Sequence, residues 1–131
     1  MPNGYTIKTL GDVPDVLGDY PGEMHMLTYE LDAEQVALTY RRMPQHTGGK
    51  GSYGHFHHEQ EEIYFVVTGK LQFKLGDDVF EAGKGTAVRI APEVVRSVWN
   101  DEPEDAELVI VSKRIDDPQG DTGSVPGFWP E

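Results

Sequence analysis

The segment Gly54-His55-Phe56-His57-His58-Glu59-Gln60-Glu61-Glu62 concentrates the metal-ligating groups of this chain: three of its five histidines fall within four positions, and glutamates follow directly. On an extended strand His55 and His57 point to one face, about 7 Å apart along it, and His58 points to the other. Two imidazoles on one face can converge on a single ion. A carboxylate from the next strand would complete two nitrogens and one oxygen, with coordination positions left open. That set suits non-haem Fe(II), and also Mn, Ni or Zn. Each histidine taken singly reads as a solvated side chain on an acidic hairpin; the clustering is what points to a metal.

The elements that would position these groups are short strands. Leu71, Phe73 and Leu75 alternate with Lys70, Gln72 and Lys74, the period-2 pattern of a half-buried strand. Gly76-Asp77-Asp78 then makes a tight turn and Val79-Phe80 begins the return. Ile63 to Val67, Thr86 to Ile90, Arg96 to Trp99 and Leu108 to Val111 read as further strands. His25 to Leu31 and Val36 to Met43 predict a hairpin around Asp32-Ala33-Glu34-Gln35. Eight or more short strands separated by Gly, Pro, Asn or Asp predict an all-β sandwich or barrel. The glycine-rich loop Thr47-Gly48-Gly49-Lys50-Gly51 lies just before the histidines, as a connection or the rim of a site. With 131 residues the chain is one domain. We place a barrel with an N-terminal arm over 1–115, and a Pro/Gly-rich tail without regular structure over 116–131, whose Phe128 and Trp129 either fray or dock.

Composition excludes several classes. Eleven Lys+Arg against 23 Asp+Glu leave a formal charge of −12, a field that repels nucleic acid and anionic membranes. With no cysteine, disulfides, thiolate metal sites and cysteine nucleophiles are out. Met1-Pro2-Asn3-Gly4-Tyr5 has no basic or apolar targeting character and no apolar run approaches a membrane span, so a cytoplasmic protein is expected.

The spacing Gly49, five residues, His55-Phe56-His57, four residues, Glu62, six residues, Gly69 resembles the first signature of the cupin superfamily. The resemblance implies a small single-domain antiparallel jelly-roll β-barrel, with His55, His57 and Glu62 as ligands of a divalent transition metal (Fe, Mn, Ni or Zn) and no organic cofactor. Glu61 is the nearest competitor for the carboxylate. If Glu62 faces inward, Tyr64 and Val66 share its face and Ile63, Phe65 and Val67 pack on the other. The second signature is degraded: at the family's spacing this chain has Gly85, Ala91, Glu93, Arg96 and Asn100. Its proline is displaced to Pro92, Glu93 replaces a glycine, and Arg96 replaces the histidine that would be a fourth ligand.

Arginine has no lone pair to donate and stays protonated. Pointing inward, it would repel a divalent cation by on the order of 5 kcal/mol at about 6 Å, before Glu62 and solvent offset it. Three arrangements follow. Arg96 grips an anionic substrate beside a bound metal; or it pairs with Glu62 in a metal-free barrel; or it swings out and water, His46 or His25 fills the gap. Tyr64 is a second candidate substrate contact, though a core position is its simpler role. Arg89 reads as an exposed strand arginine, His25 as a hydrogen-bonded core histidine, His46 as a solvated loop residue, Trp99 as core, and Asn100 as a turn former with Asp101. Tyr53 reads equally as a mouth or a surface loop residue. The expected function is a metal-dependent cupin that binds or transforms a small anionic or oxygen-rich metabolite; isomerase and dioxygenase-type chemistry both fit, and no residue is an obvious nucleophile. The alternative is a metal-free, non-catalytic cupin that binds a sugar or another small ligand. A homodimer through sheet edges is expected of either.

Overall fold

Leu71 and Phe73 are buried while Lys70, Gln72 and Lys74 beside them are half-buried, and two sheets close over inward-facing side chains of this kind. In the computed structural model, which describes residues 4–131, Met1, Pro2 and Asn3 of the segment read for targeting lie outside the described residues. The strands are β1 (Glu23–Met26), β2 (Val36–Met43), β3 (Thr47–Gly48), β4 (Ser52–His57), β5 (Glu62–Thr68), β6 (Lys70–Leu75), β7 (Asp78–Gly83), β8 (Ala87–Ile90), β9 (Arg96–Asn100), β10 (Ala106–Lys113) and β11 (Thr122–Trp129), with helical turns α1 (Leu27–Glu30) and α2 (Pro118–Asp121). One sheet has the order β1-β2-β10-β5-β8 and the other β11-β4-β9-β6-β7, with β3 paired to β9. All these pairings are antiparallel. The fold is therefore the all-β jelly roll expected from the sequence.

Met43, Val66, Leu71, Phe73, Ile90 and Leu108 fill the space between the sheets. Phe73 is the centre of this layer, with the Tyr64 ring at 5.9 Å and the Phe80 ring at 5.5 Å. Burying a side chain of this size contributes roughly 2–3 kcal/mol. On β5 the alternation is clean: Glu62, Tyr64 and Val66 are buried, while Ile63 and Phe65 are exposed on the outer face. The β5–β6 turn depends on Gly69, whose φ of +78° and close approach to Ala106 leave no room for a Cβ.

Two expectations need correction. His25–Leu31 is not one strand: β1 ends at Met26 and Leu27–Glu30 forms a helical turn. The Leu31 amide bonds the Leu27 carbonyl at 2.9 Å, and Thr28 Oγ1 accepts the Leu38 amide at 3.0 Å. Burial of Leu27 and Thr28 on one side of that turn outweighs strand propensity.

The tail is not irregular either. Its strand β11 pairs with β4, setting Thr122 opposite His57 and Ser124 opposite His55. Trp129 is buried, and Phe128 lies on Gly54 with Lys74 Nζ 3.8 Å from its ring centre. The edge of β4 needs a partner for its backbone groups. Pro126 falls within the register break between Val125 and Trp129, where an edge strand tolerates proline. No helix among the described residues is long and apolar enough to cross a membrane.

Candidate metal centre

β4 ends at His57 in one sheet and β5 begins at Glu62 in the other, so residues 58–61 carry the chain across and turn the two histidines toward the glutamate. The rings of His55 and His57 stand perpendicular, their centres 5.2 Å apart. One donor atom from each of His55, His57 and Glu62 lies within 4.8 Å of the others, a grouping that could hold a metal ion. Glu61 points out instead and pairs with Arg89 at the surface. Arg89 is thus the exposed strand arginine expected.

The tail supplies a carboxylate behind this cluster. Asp121 Oδ2 lies 3.3 Å from His57 Nδ1, and on the other side of the ring His57 Nε2 lies 3.4 Å from Glu62 Oε1. Asp121 is itself buried and fixed, accepting the Glu59 amide at 2.7 Å and the Gln60 amide at 3.3 Å. A carboxylate on the far nitrogen of a histidine sets its tautomer and aims the other nitrogen at a metal. The donor set and this support therefore fit a divalent transition metal.

Electrostatics agree with that fit. Burial lowers the His55 imidazole to about 4, against the opposing pull of Glu62, so its lone pair is free of a proton at neutral pH. Burial alone would raise the Glu62 carboxyl, but hydrogen bonds and charge from His57 and Arg96 outweigh it and hold the group below its ordinary range. Tyr64 is buried, and desolvation with the Glu62 charge beside it keeps its hydroxyl protonated.

Arg96 lies directly opposite His55 on the neighbouring strand and has no exposed surface. Its Nη1 donates to Glu62 Oε1 at 2.7 Å; Nη2 donates to the carbonyls of Ala91 and Val94 at 3.0 and 2.9 Å, and Nε to Val94 at 3.1 Å. Of the three arrangements open at the sequence level, the Glu62 ion pair is the one observed. Four of the five guanidinium donors already have partners within the protein, which leaves no free fork for a bidentate grip on a substrate.

The remaining residues divide cleanly. His25 is a buried histidine with Nδ1 2.9 Å from the Val13 carbonyl and Nε2 3.0 Å from Glu23. His46 is exposed and stacks on Trp99, and His58 is exposed beside Glu93. Asn100 is buried and shapes its turn by accepting the Glu102 amide and donating to Met43 and Glu104. Tyr53 is exposed and lines the cavity mouth.

Beside the cluster the sheets enclose a cavity of about 620 Å³, lined by His55, His57, Glu62, Tyr64 and Arg96 among others. Sequence reading missed Asp121, which backs His57 in the cluster, and Arg41, which lines the cavity. Asp121 lies in a Pro/Gly-rich stretch that carries no strand signal. Arg41 sits in an Arg41-Arg42 pair that reads as solvated; only the alternation Ala37, Thr39, Arg41, Met43 places it on the inner face.

A family model described as a cupin domain matches residues 42–112. No curated protein matches the sequence. Among solved structures, the chain is similar to a cupin protein from Bacteroides fragilis (18% identity, 86% of each chain, TM-score 0.67). It is also similar to an oxalate decarboxylase variant from B. subtilis (17% identity, 90% of this chain but 32% of that one, TM-score 0.73). A protein from Acidithiobacillus ferrooxidans, whose given name places it with the sugar phosphate isomerases, is 19% identical over 72% of this chain, with a TM-score of 0.63; this chain spans 60% of its length. At these identities the likeness speaks for the fold.

Proposed function

The chain belongs to the cupin domain family, and from that premise we propose that it binds one divalent transition metal through His55, His57 and Glu62 and acts on a small anionic or oxygen-rich metabolite in the adjoining cavity. The observation that carries this reading is the alignment Asp121–His57–Glu62, a buried histidine held from behind by one carboxylate and aimed at another. The metal, when bound, supplies Lewis-acid or redox chemistry at its open positions, which suits isomerisation or dioxygenation. The chain's own residues do the rest. His55 offers a neutral lone pair, Asp121 orients the His57 ring, Arg96 neutralises and positions the Glu62 carboxylate, and Tyr64 keeps a protonated hydroxyl at the cavity wall. Arg96 serves here as a positioning residue rather than a substrate clamp. The protein would work in the cytoplasm.

The Arg96–Glu62 pair also favours a second reading, a metal-free barrel that binds a small ligand without catalysis, because Arg96 stands where a fourth ligand would. Elemental analysis by plasma mass spectrometry separates the two. The first predicts near one equivalent of Fe, Mn, Ni or Zn, removable by chelator and absent from the double variant His55→Ala/His57→Ala. No metal after anaerobic reconstitution with Fe(II) or Mn(II) would select the second.

In either case a homodimer is proposed. Ile63, Phe65 and Val111 are exposed side by side on the outer face of one sheet, which supports association through that face. Sedimentation of wild type against Phe65→Glu tests it, the variant running as monomer.

A further inference from the structure

The cavity is positive inside an acidic protein. Its wall carries Arg41, Arg96 and Arg114 against the single carboxylate of Glu62, whereas the whole chain has a formal charge of −12. Arg96 is spent on Glu62, and Arg114 pairs with Asp116 at 2.9 Å. Arg41 has neither an ion-pair nor a hydrogen-bond partner among the described residues, and its Nε is buried without one. Burial pulls its guanidinium down from its ordinary value, yet arginine remains charged at neutral pH. A half-buried cation with no partner, its Nε out of reach of water, is costly to the fold and fits a site that a ligand completes.

Its place in the sheet says what kind of ligand. Arg41 faces inward on β2, flanked across the sheet by Met24 on β1 and Leu108 on β10, next to the core residue Met43. The adjoining wall continues through Met26 and Ile110. In the shared register of β10 and β5, the Arg41 level coincides with Leu108 and Val66, and Glu62 lies opposite Ser112. Those levels are four residues apart, about 13 Å along the strands. The cation and the histidine–glutamate cluster thus face one cavity from different depths, with apolar wall between.

We propose that Arg41 anchors the carboxylate of a small monocarboxylic acid whose apolar or aromatic body lies along that wall toward His55, His57 and Glu62. A carboxylate matches one uncompensated guanidinium in charge and in bidentate geometry. A phosphate would bring nearly two charges to a single free cation. The proposal deepens the functional reading by naming the class of ligand, and rests on that reading only in placing the ligand's far end at the metal cluster.

The test is calorimetric titration of benzoate and butyrate into wild type and Arg41→Met, each in chelator-treated and metal-reconstituted form, with benzamide and inorganic phosphate as controls. Wild type should bind benzoate in both forms and prefer it to benzamide and phosphate. Arg41→Met should bind it at least about tenfold more weakly and, relieved of the unpartnered charge, should melt above wild type without ligand. Arg41→Lys, which keeps the charge but loses the fork, should also weaken benzoate binding and guards against a folding defect in the methionine variant. Equal affinity in wild type and the variants, no binding by wild type, or a preference for phosphate would overturn the carboxylate site. Benzoate binding that survives in a protein unable to take up metal would overturn the metal reading and leave Arg41 standing.

Discussion

Asp121 Oδ2 sits 3.3 Å from Nδ1 of His57, delivered by the C-terminal segment to the back of a ring whose front faces Glu62. A carboxylate that holds the far nitrogen of a metal-ligating histidine is worth about 10–100-fold in metal affinity. Asp121→Asn should therefore weaken metal binding within that range while the barrel stays folded. Competition with a chromophoric chelator measures it; unchanged affinity would remove Asp121 from the site.

Arg96 makes the opposite kind of contribution. Its ion pair with Glu62 has almost no exposed surface, and breaking such a pair from one side costs about 3–5 kcal/mol because the other charge is left uncompensated. Arg96→Ala should destabilise the metal-free protein by that amount in denaturant titrations. Arg96→His should bind metal more tightly than wild type, since a fourth nitrogen replaces a cation, and metal should restore much of its lost stability. Tightening is the discriminating result: without it, position 96 does not reach the ion.

The difference between these two residues shows what was legible in the sequence. His55, His57 and Glu62 could be read because two-residue spacing on a strand and a short crossing segment fix their geometry locally. Three arrangements of Arg96 are compatible with the sequence, since spacing places a side chain on a face but does not choose its partner. Asp121 and β11 were invisible because proline and glycine mark loops far more often than an edge strand with a broken register. Arg41 was hidden by its neighbour Arg42, which points the other way and pairs with Glu23 and Asp105.

Glu93 tests the degraded second signature directly. It has φ +71° at the position where the family has glycine, and a non-glycine residue there costs roughly 1 kcal/mol. Among the described residues its side chain pairs with exposed His58, a contact of little worth. Glu93→Gly should raise the melting temperature by about 3 °C. A lower melting temperature would mean that the side chain contributes more than the backbone strain costs.

His25 sets a pH dependence remote from the metal cluster. Glu23, hydrogen-bonded to Nε2, is the main cause of its raised pKa; burial opposes, and the Val13 carbonyl and the charges of Glu23 and Asp15 add to the rise. Tyr40 packs against the ring from β2, and Arg42 shares Glu23. Because the folded value lies above the unfolded one, near 6.5, the folded state holds the proton more tightly. The stabilisation is complete below about pH 6.5 and is lost as pH rises through the folded value. The melting temperature of wild type minus that of His25→Gln should accordingly fall across that window, and Glu23→Gln should flatten the wild-type slope. A difference that grows with pH would reverse the assignment and make His25 a histidine held neutral by its burial.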